Sequence, residues 1–145
     1  MVKLPMPVGL LIEAAVAGGV DGDLLIDVIR NKNMKALNHI GKEETSWLNF
    51  FQYADENWGN VVQAIQTGYS FKFITIRGLL NLIQTRFAFK ENEDFILGDS
   101  WMALNLTQSQ LEFLISRIPN QWEFVKQEKD HYNYLAVLSH SQLKV

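Results

Sequence analysis

Cysteine is absent from the 145 residues of this chain. That excludes disulfides, thiolate nucleophiles, Cys-ligated zinc and iron–sulfur clusters together, and it fits a reducing compartment. Proline is scarce, present only as Pro5, Pro7 and Pro119, and no stretch rich in Pro, Gly and Ser marks a linker. No apolar run approaches the roughly 18 residues of a membrane-spanning helix. Lys3 and the apolar residues up to Ala17 imitate a secretory signal. Glu13 stands inside that stretch and Pro5 and Pro7 break its start, so it reads as a first helix. Internal repeats are lacking too.

Catalytic and metal-binding signatures are equally scarce. No Ser stands in a Gly-x-Ser-x-Gly turn, and no Gly-rich loop ends in Lys-Ser/Thr to cradle phosphate. His39, His131 and His140 have no second histidine at the i+3 or i+4 spacing of a metal pair. Asp21, Asp23 and Asp27 resemble a fragment of a calcium loop, but the glycine is misplaced and no Glu closes it. They read as an acidic turn and a helix cap. Glu43-Glu44 and Asp55-Glu56 flank a helical stretch, and acids at a helix start suit its dipole without any chemistry. Asn105-Leu106-Thr107 is a glycosylation sequon that matters only in a secreted protein. No cofactor is expected.

What the chain does have is an ordinary globular composition, 48% hydrophobic and 20% charged, with nine Phe, four Trp and four Tyr. One domain of this length buries roughly 68–70% of its unfolded surface. Its charges are sorted into blocks. Lys3 against Glu13, Asp21, Asp23 and Asp27 leaves residues 1–27 acidic, whereas 28–42 hold Arg30, Lys32, Lys35 and Lys42 without an acid. Residues 43–56 carry Glu43, Glu44, Asp55 and Glu56. Residues 57–90 carry Lys72, Arg77, Arg86 and Lys90 with no carboxylate, and 91–99 return to acid with Glu91, Glu93, Asp94 and Asp99. Such blocks dock a charged partner or face one another after folding.

Periodicity predicts a helical first half. Val8, Leu11, Ile12, Ala15 and Val16 recur at helical spacing up to Gly18-Gly19. Asp23 is expected to cap a helix to Arg30 with Leu24, Leu25 and Val28 inward. Asn33 opens a short turn through Met34, Leu37 and Ile40 that Gly41 ends. Trp47, Phe50, Phe51, Ala54, Trp58, Val61, Val62 and Ile65 share one face of one long helix, or of two broken near Asn57–Gly59. Tyr69–Ile74 is extended, and Thr75 caps a helix whose inward face is Ile76, Leu79, Leu80, Ile83 and Phe87.

Beyond Phe87 the period becomes two. Asp94–Leu97 and Trp101–Leu106 read as paired strands joined at Gly98-Asp99. Thr107 and Gln110 form a capping box, with Leu106 and Leu111 as its hydrophobic staple. That helix buries Leu111, Leu114, Ile115 and Ile118 and ends at Pro119. Two more strands, 121–127 and 132–139, pair across Glu128–Asp130. The fold class is therefore α+β, a helical N-terminal half packed with a C-terminal ββαββ antiparallel-sheet unit. Residues 1–145 are expected to be a single domain, mainly helical over 1–87 and hairpin, helix, hairpin over 88–145.

Two surfaces suggest function. The acid-free segment 57–90 followed by a hairpin has the order of a winged helix-turn-helix. There Arg77, Asn81, Gln84 and Thr85 would face base edges, and Lys72, Arg86 and Lys90 would contact phosphates. Its connector is long for that motif, and the acids of the wing would repel phosphate. The sheet aromatics Trp101, Trp122, Tyr132 and Tyr134 offer a protein-binding band if they are exposed. The expectation is a small cytoplasmic protein without a catalytic role. It would act by contact with a protein partner or a second copy, not with a membrane. A winged-helix-like nucleic-acid binder is the alternative, and an enzyme with no legible motif the third reading.

Overall fold

A computed structural model describes residues 1–119, 121–128 and 131–138. His140, the turn residues Lys129 and Asp130, and the expected strand end at Ser139 lie outside the described residues. The class is α+β, with helices mostly early and a four-stranded antiparallel sheet late. The chain divides into two compact units, Met1–Ser70 and Phe71–Val145.

The first unit runs β1 (Val2–Leu4), α1 (Met6–Ala17), α2 (Gly22–Arg30), a 3₁₀ helix (Met34–Ile40), α3 (Glu44–Glu56) and α4 (Trp58–Thr67). β2 (Tyr69–Phe71), which spans the passage to the second unit, pairs with β1. α1 is buried on nearly every side, through Val8, Gly9, Leu11, Ile12, Glu13, Ala14 and Ala15. An apolar surface all round is the mark of a central helix, and α3 and the 3₁₀ helix pack against it. Its one buried carboxylate is partnered from the far end of the unit. The Tyr69 hydroxyl donates to Glu13 Oε2 (2.5 Å) and lies 3.1 Å from the Gly9 carbonyl oxygen.

Three expectations for this unit need correction. α2 starts at Gly22, so Asp23 sits in its first turn, where it suits the dipole, and does not cap it. Leu24 is 54% exposed, and the inward face is Leu25, Ile26, Val28 and Ile29. Of the two alternatives for the stripe at 44–67, the two-helix one holds, with the break expected near Asn57–Gly59 at Asn57, whose side-chain amide donates to the Tyr53 carbonyl at 3.0 Å and occupies the end of α3. Trp58, expected in the core, is half-buried, with the Arg30 guanidinium 5.7 Å from its ring centre. The charge blocks meet here in part. Lys32 Nζ lies 2.7 Å from Asp55 Oδ2, joining the basic block to the acidic block after it, and Arg30 pairs locally with Asp27 at 3.1 Å.

The second unit contains α5 (Ile76–Phe87), β3 (Phe95–Leu97), β4 (Trp101–Leu104), α6 (Gln108–Arg117), β5 (Trp122–Lys126) and β6 (Tyr134–Leu138). α5, expected to close the helical half, thus belongs with the sheet. The Thr75 hydroxyl caps it by accepting from Gly78 N–H at 3.0 Å. Thr107 and Gln110 form the reciprocal box on α6, at 3.2 and 2.9 Å. The buried face of α5 is Gly78, Leu79, Leu82 and Ile83, rotated from the expected stripe, and Ile115 of α6 is 59% exposed. Phe87 meets Phe113 edge-on at 5.8 Å, tying α5 to α6.

The sheet order is β3-β4-β6-β5, all antiparallel, so β4 and β6 are central and α6 leads from a central strand to an edge. Two side-chain amides fasten the ends of strands to the loops. Asn133 accepts from Leu106 N–H and donates to its carbonyl, both at 2.8 Å. Buried Gln121 does the same for Ile74 at 3.3 and 3.2 Å.

Candidate functional site

Pairing register decides which side chains share a side of the sheet, because directly opposed residues point the same way. Phe95 opposes Leu104, Leu97 opposes Met102, and Met102 opposes Ala136. Ala136 in turn opposes Phe124, and Leu138 opposes Trp122. This is the inner face: Phe95, Met102, Leu104 and Ala136 are fully buried and Trp122 is 4% exposed.

The other face is also apolar, yet it is open. Ile96 opposes Ala103, Ala103 opposes Leu135, and Leu135 opposes Val125, so one apolar row crosses all four strands. A second row beside it reads Trp101, Val137, Glu123. Ile96, Trp101 and Val125 are 37%, 39% and 46% exposed, and Leu135 and Val137 are half-buried. Ala103, the small residue in the middle of the row, is buried. Ordinary antiparallel sheets that meet water are polar on their wet side. This one is not.

Trp101 is positioned by Gly98. A Cβ on Gly98 would lie 2.1 Å from the indole ring, so the ring rests on the bare backbone of the hairpin partner. Gly98 N–H donates to the Trp101 carbonyl at 2.8 Å, which makes Asp99 and Ser100 the loop residues. The glycine expected to begin the turn is therefore needed for the close approach of an aromatic ring. We expect Gly98→Val to push the indole off the hairpin and to cost about 1–3 kcal/mol from overpacking. The indole N–H resonance of Trp101 and urea unfolding would report both effects.

The four aromatics expected as one band do not form one. Trp101 is on the outer face, whereas Tyr134, opposite Leu104, is on the inner. Trp122 is buried there, and its indole N–H donates to the Ile74 carbonyl at 2.9 Å, so it offers no docking surface. Tyr132 precedes β6, half-buried, with the His131 ring edge-on at 5.0 Å. The open-face residues Ile96, Ala103, Val125, Leu135 and Val137 were not singled out by sequence reasoning. Their signal was there, since strands such as Tyr134–Leu138 are apolar at odd and even positions alike.

The nucleic-acid candidates are placed as follows. Lys72, Arg77, Gln84, Arg86 and Lys90 are exposed in the second unit. Asn81 Oδ1 accepts from the Thr85 hydroxyl at 3.1 Å, and the Arg86 guanidinium lies 4.5 Å from the Phe113 ring centre. The expected order of α4, connector, α5 and hairpin is present, but α4 and α5 do not belong to one unit and β2 stands in the connector between them. Nor is the hairpin a free wing, since β4 is paired on both sides. Asp94, on the approach to β3, accepts from Lys90 N–H at 2.8 Å.

The first unit has an open cleft of about 360 Å³ between Lys32, Met34, Glu44, Leu48, Phe51, Gln52 and Asp55, with the Lys32–Asp55 pair on its wall. Tyr53 on α3 has its phenol pushed up by burial. Among the described residues, no three His, Asp or Glu side chains converge as a metal site, and no helix is long and apolar enough to cross a membrane. No protein-family model matches the sequence, and comparisons with curated proteins and with solved structures return no match.

Proposed function

We propose that this chain is a protein-binding module that docks its partner on the open face of the β3-β4-β6-β5 sheet. One observation carries the reading: an apolar row from Ile96 to Val125 crosses every strand, with Trp101 set beside it. Contiguous apolar surface costs free energy in water, at roughly 25 cal/mol per Å², until something covers it. An exposed Trp beside a row of aliphatic side chains is also the composition of an interface anchor.

A photoreactive benzophenone side chain at Val125, on the open face, and another at Gln84, on exposed α5, test this in the source cells. The expected result is one or a few discrete protein adducts from position 125 and none of the same size from position 84. Equal adducts from both positions, no protein adduct from 125, or adducts that nuclease removes would overturn the reading.

A further inference from the structure

We infer that the element seated on this face is a basic amphipathic helix of another protein, an inference that rests on the docking reading above. The rim of the face supplies the first reason. Glu123 stands in the Trp101–Val137 row, Asp99 is in the loop that leads into Trp101, and Glu93 precedes β3; all three are exposed. Among the described residues these carboxylates make no ion pair; the ion pairs are Arg30–Asp27 and Lys32–Asp55 in the other unit. The single base on the four strands, Lys126, stands on the inner side opposite Tyr134. Among the described strand residues, the open face is therefore greasy in the middle, negative toward its Trp101 end, and without a positive charge.

That pattern selects among occupants. Nucleic acid and anionic lipid carry phosphates, which the margin repels. A second copy laid face to face would bring carboxylate rims together. An α-helix is about 10 Å across with its side chains. Two to three turns, with apolar residues at i, i+3, i+4 and i+7, cover the Ile96–Val125 row. Lys or Arg on the flank of such a helix that faces the Trp101–Val137 row then meets Asp99 near one end and Glu123 near the other. Charge at a rim sets orientation and partner choice more than raw affinity.

The test is a titration of the full, isotope-labelled chain with two synthetic helical peptides of about fourteen residues. One is built from Leu and Lys, and its twin has Glu for every Lys. At low salt, the Lys peptide is expected to shift the resonances of Ile96, Trp101, Val125, Leu135 and Val137. The Glu twin should bind the same face at least roughly tenfold more weakly. In the D99K/E123K chain the preference should reverse. Should that variant fold poorly, D99N/E123Q should abolish the preference while leaving the fold intact. If both peptides bind this face equally, or the variants leave the ratio unchanged, the basic-helix inference is wrong and the docking face stands. If neither peptide perturbs the face, or the shifts gather instead at Glu43, Glu44 and Glu56, both readings fall. Phosphatidylserine vesicles shifting the same resonances would also overturn the inference.

Discussion

Replacing Gln121 by Ala is expected to lower the stability of the second unit by about 1–3 kcal/mol, the cost of stranding a buried polar group. Gln121 is 6% exposed and Ile74 is fully buried. The Gln121 amide accepts from Ile74 N–H at 3.3 Å and donates to the Ile74 carbonyl at 3.2 Å. The carbonyl keeps a second donor, the Trp122 indole N–H at 2.9 Å, so the loss falls on the Ile74 amide. Gln121→Leu preserves the volume but not the bonds, and should recover only the packing share. Urea unfolding with amide hydrogen exchange at Ile74 would measure both. Unchanged protection of the Ile74 amide in the Ala variant would mean that this clamp does not hold the segment.

Tyr69→Phe is expected to destabilise the first unit by a similar amount, about 1–3 kcal/mol. The phenol is the donor that reaches Glu13 Oε2 inside a helix otherwise lined by Val8, Leu11, Ile12 and Ala15. Removing the hydroxyl takes a partner from a buried carboxylate, which burial makes costly. The informative comparison is the double variant. Replacing both members of a buried polar pair by apolar groups is much cheaper than removing one. Glu13→Met with Tyr69→Phe should therefore unfold at a higher urea concentration than Tyr69→Phe alone. Additive losses would show that each residue is stabilised by something other than its partner.

Features whose partners lie within three or four residues were legible in the sequence. The Thr75 cap, the Thr107–Gln110 box and the stop at Gly41 follow from local chemistry, and each is found where it was expected. Helix faces were read less well. Leu24 and Ile115 are exposed while Ile26 and Leu82 are buried, because an apolar stripe wider than a third of a helix leaves its inward half to the neighbouring elements. The grouping of Trp101 with Trp122 and Tyr134 failed for a related reason. Alternation gives the two faces of a single strand, but which face of one strand continues onto the next depends on register.

Composition and pattern by themselves determined the class of this protein: no cysteine chemistry, a helical beginning, a stranded end, and charges in blocks. Those follow from residue identity and from spacings a few positions long. Tertiary structure alone decided that one side of the sheet stays greasy and uncovered, that Gly98 exists for the indole of Trp101, and that Glu13 finds a phenol 56 residues away. Each depends on contacts between distant parts of the chain, which are set by packing geometry and not by the local preferences of the residues involved.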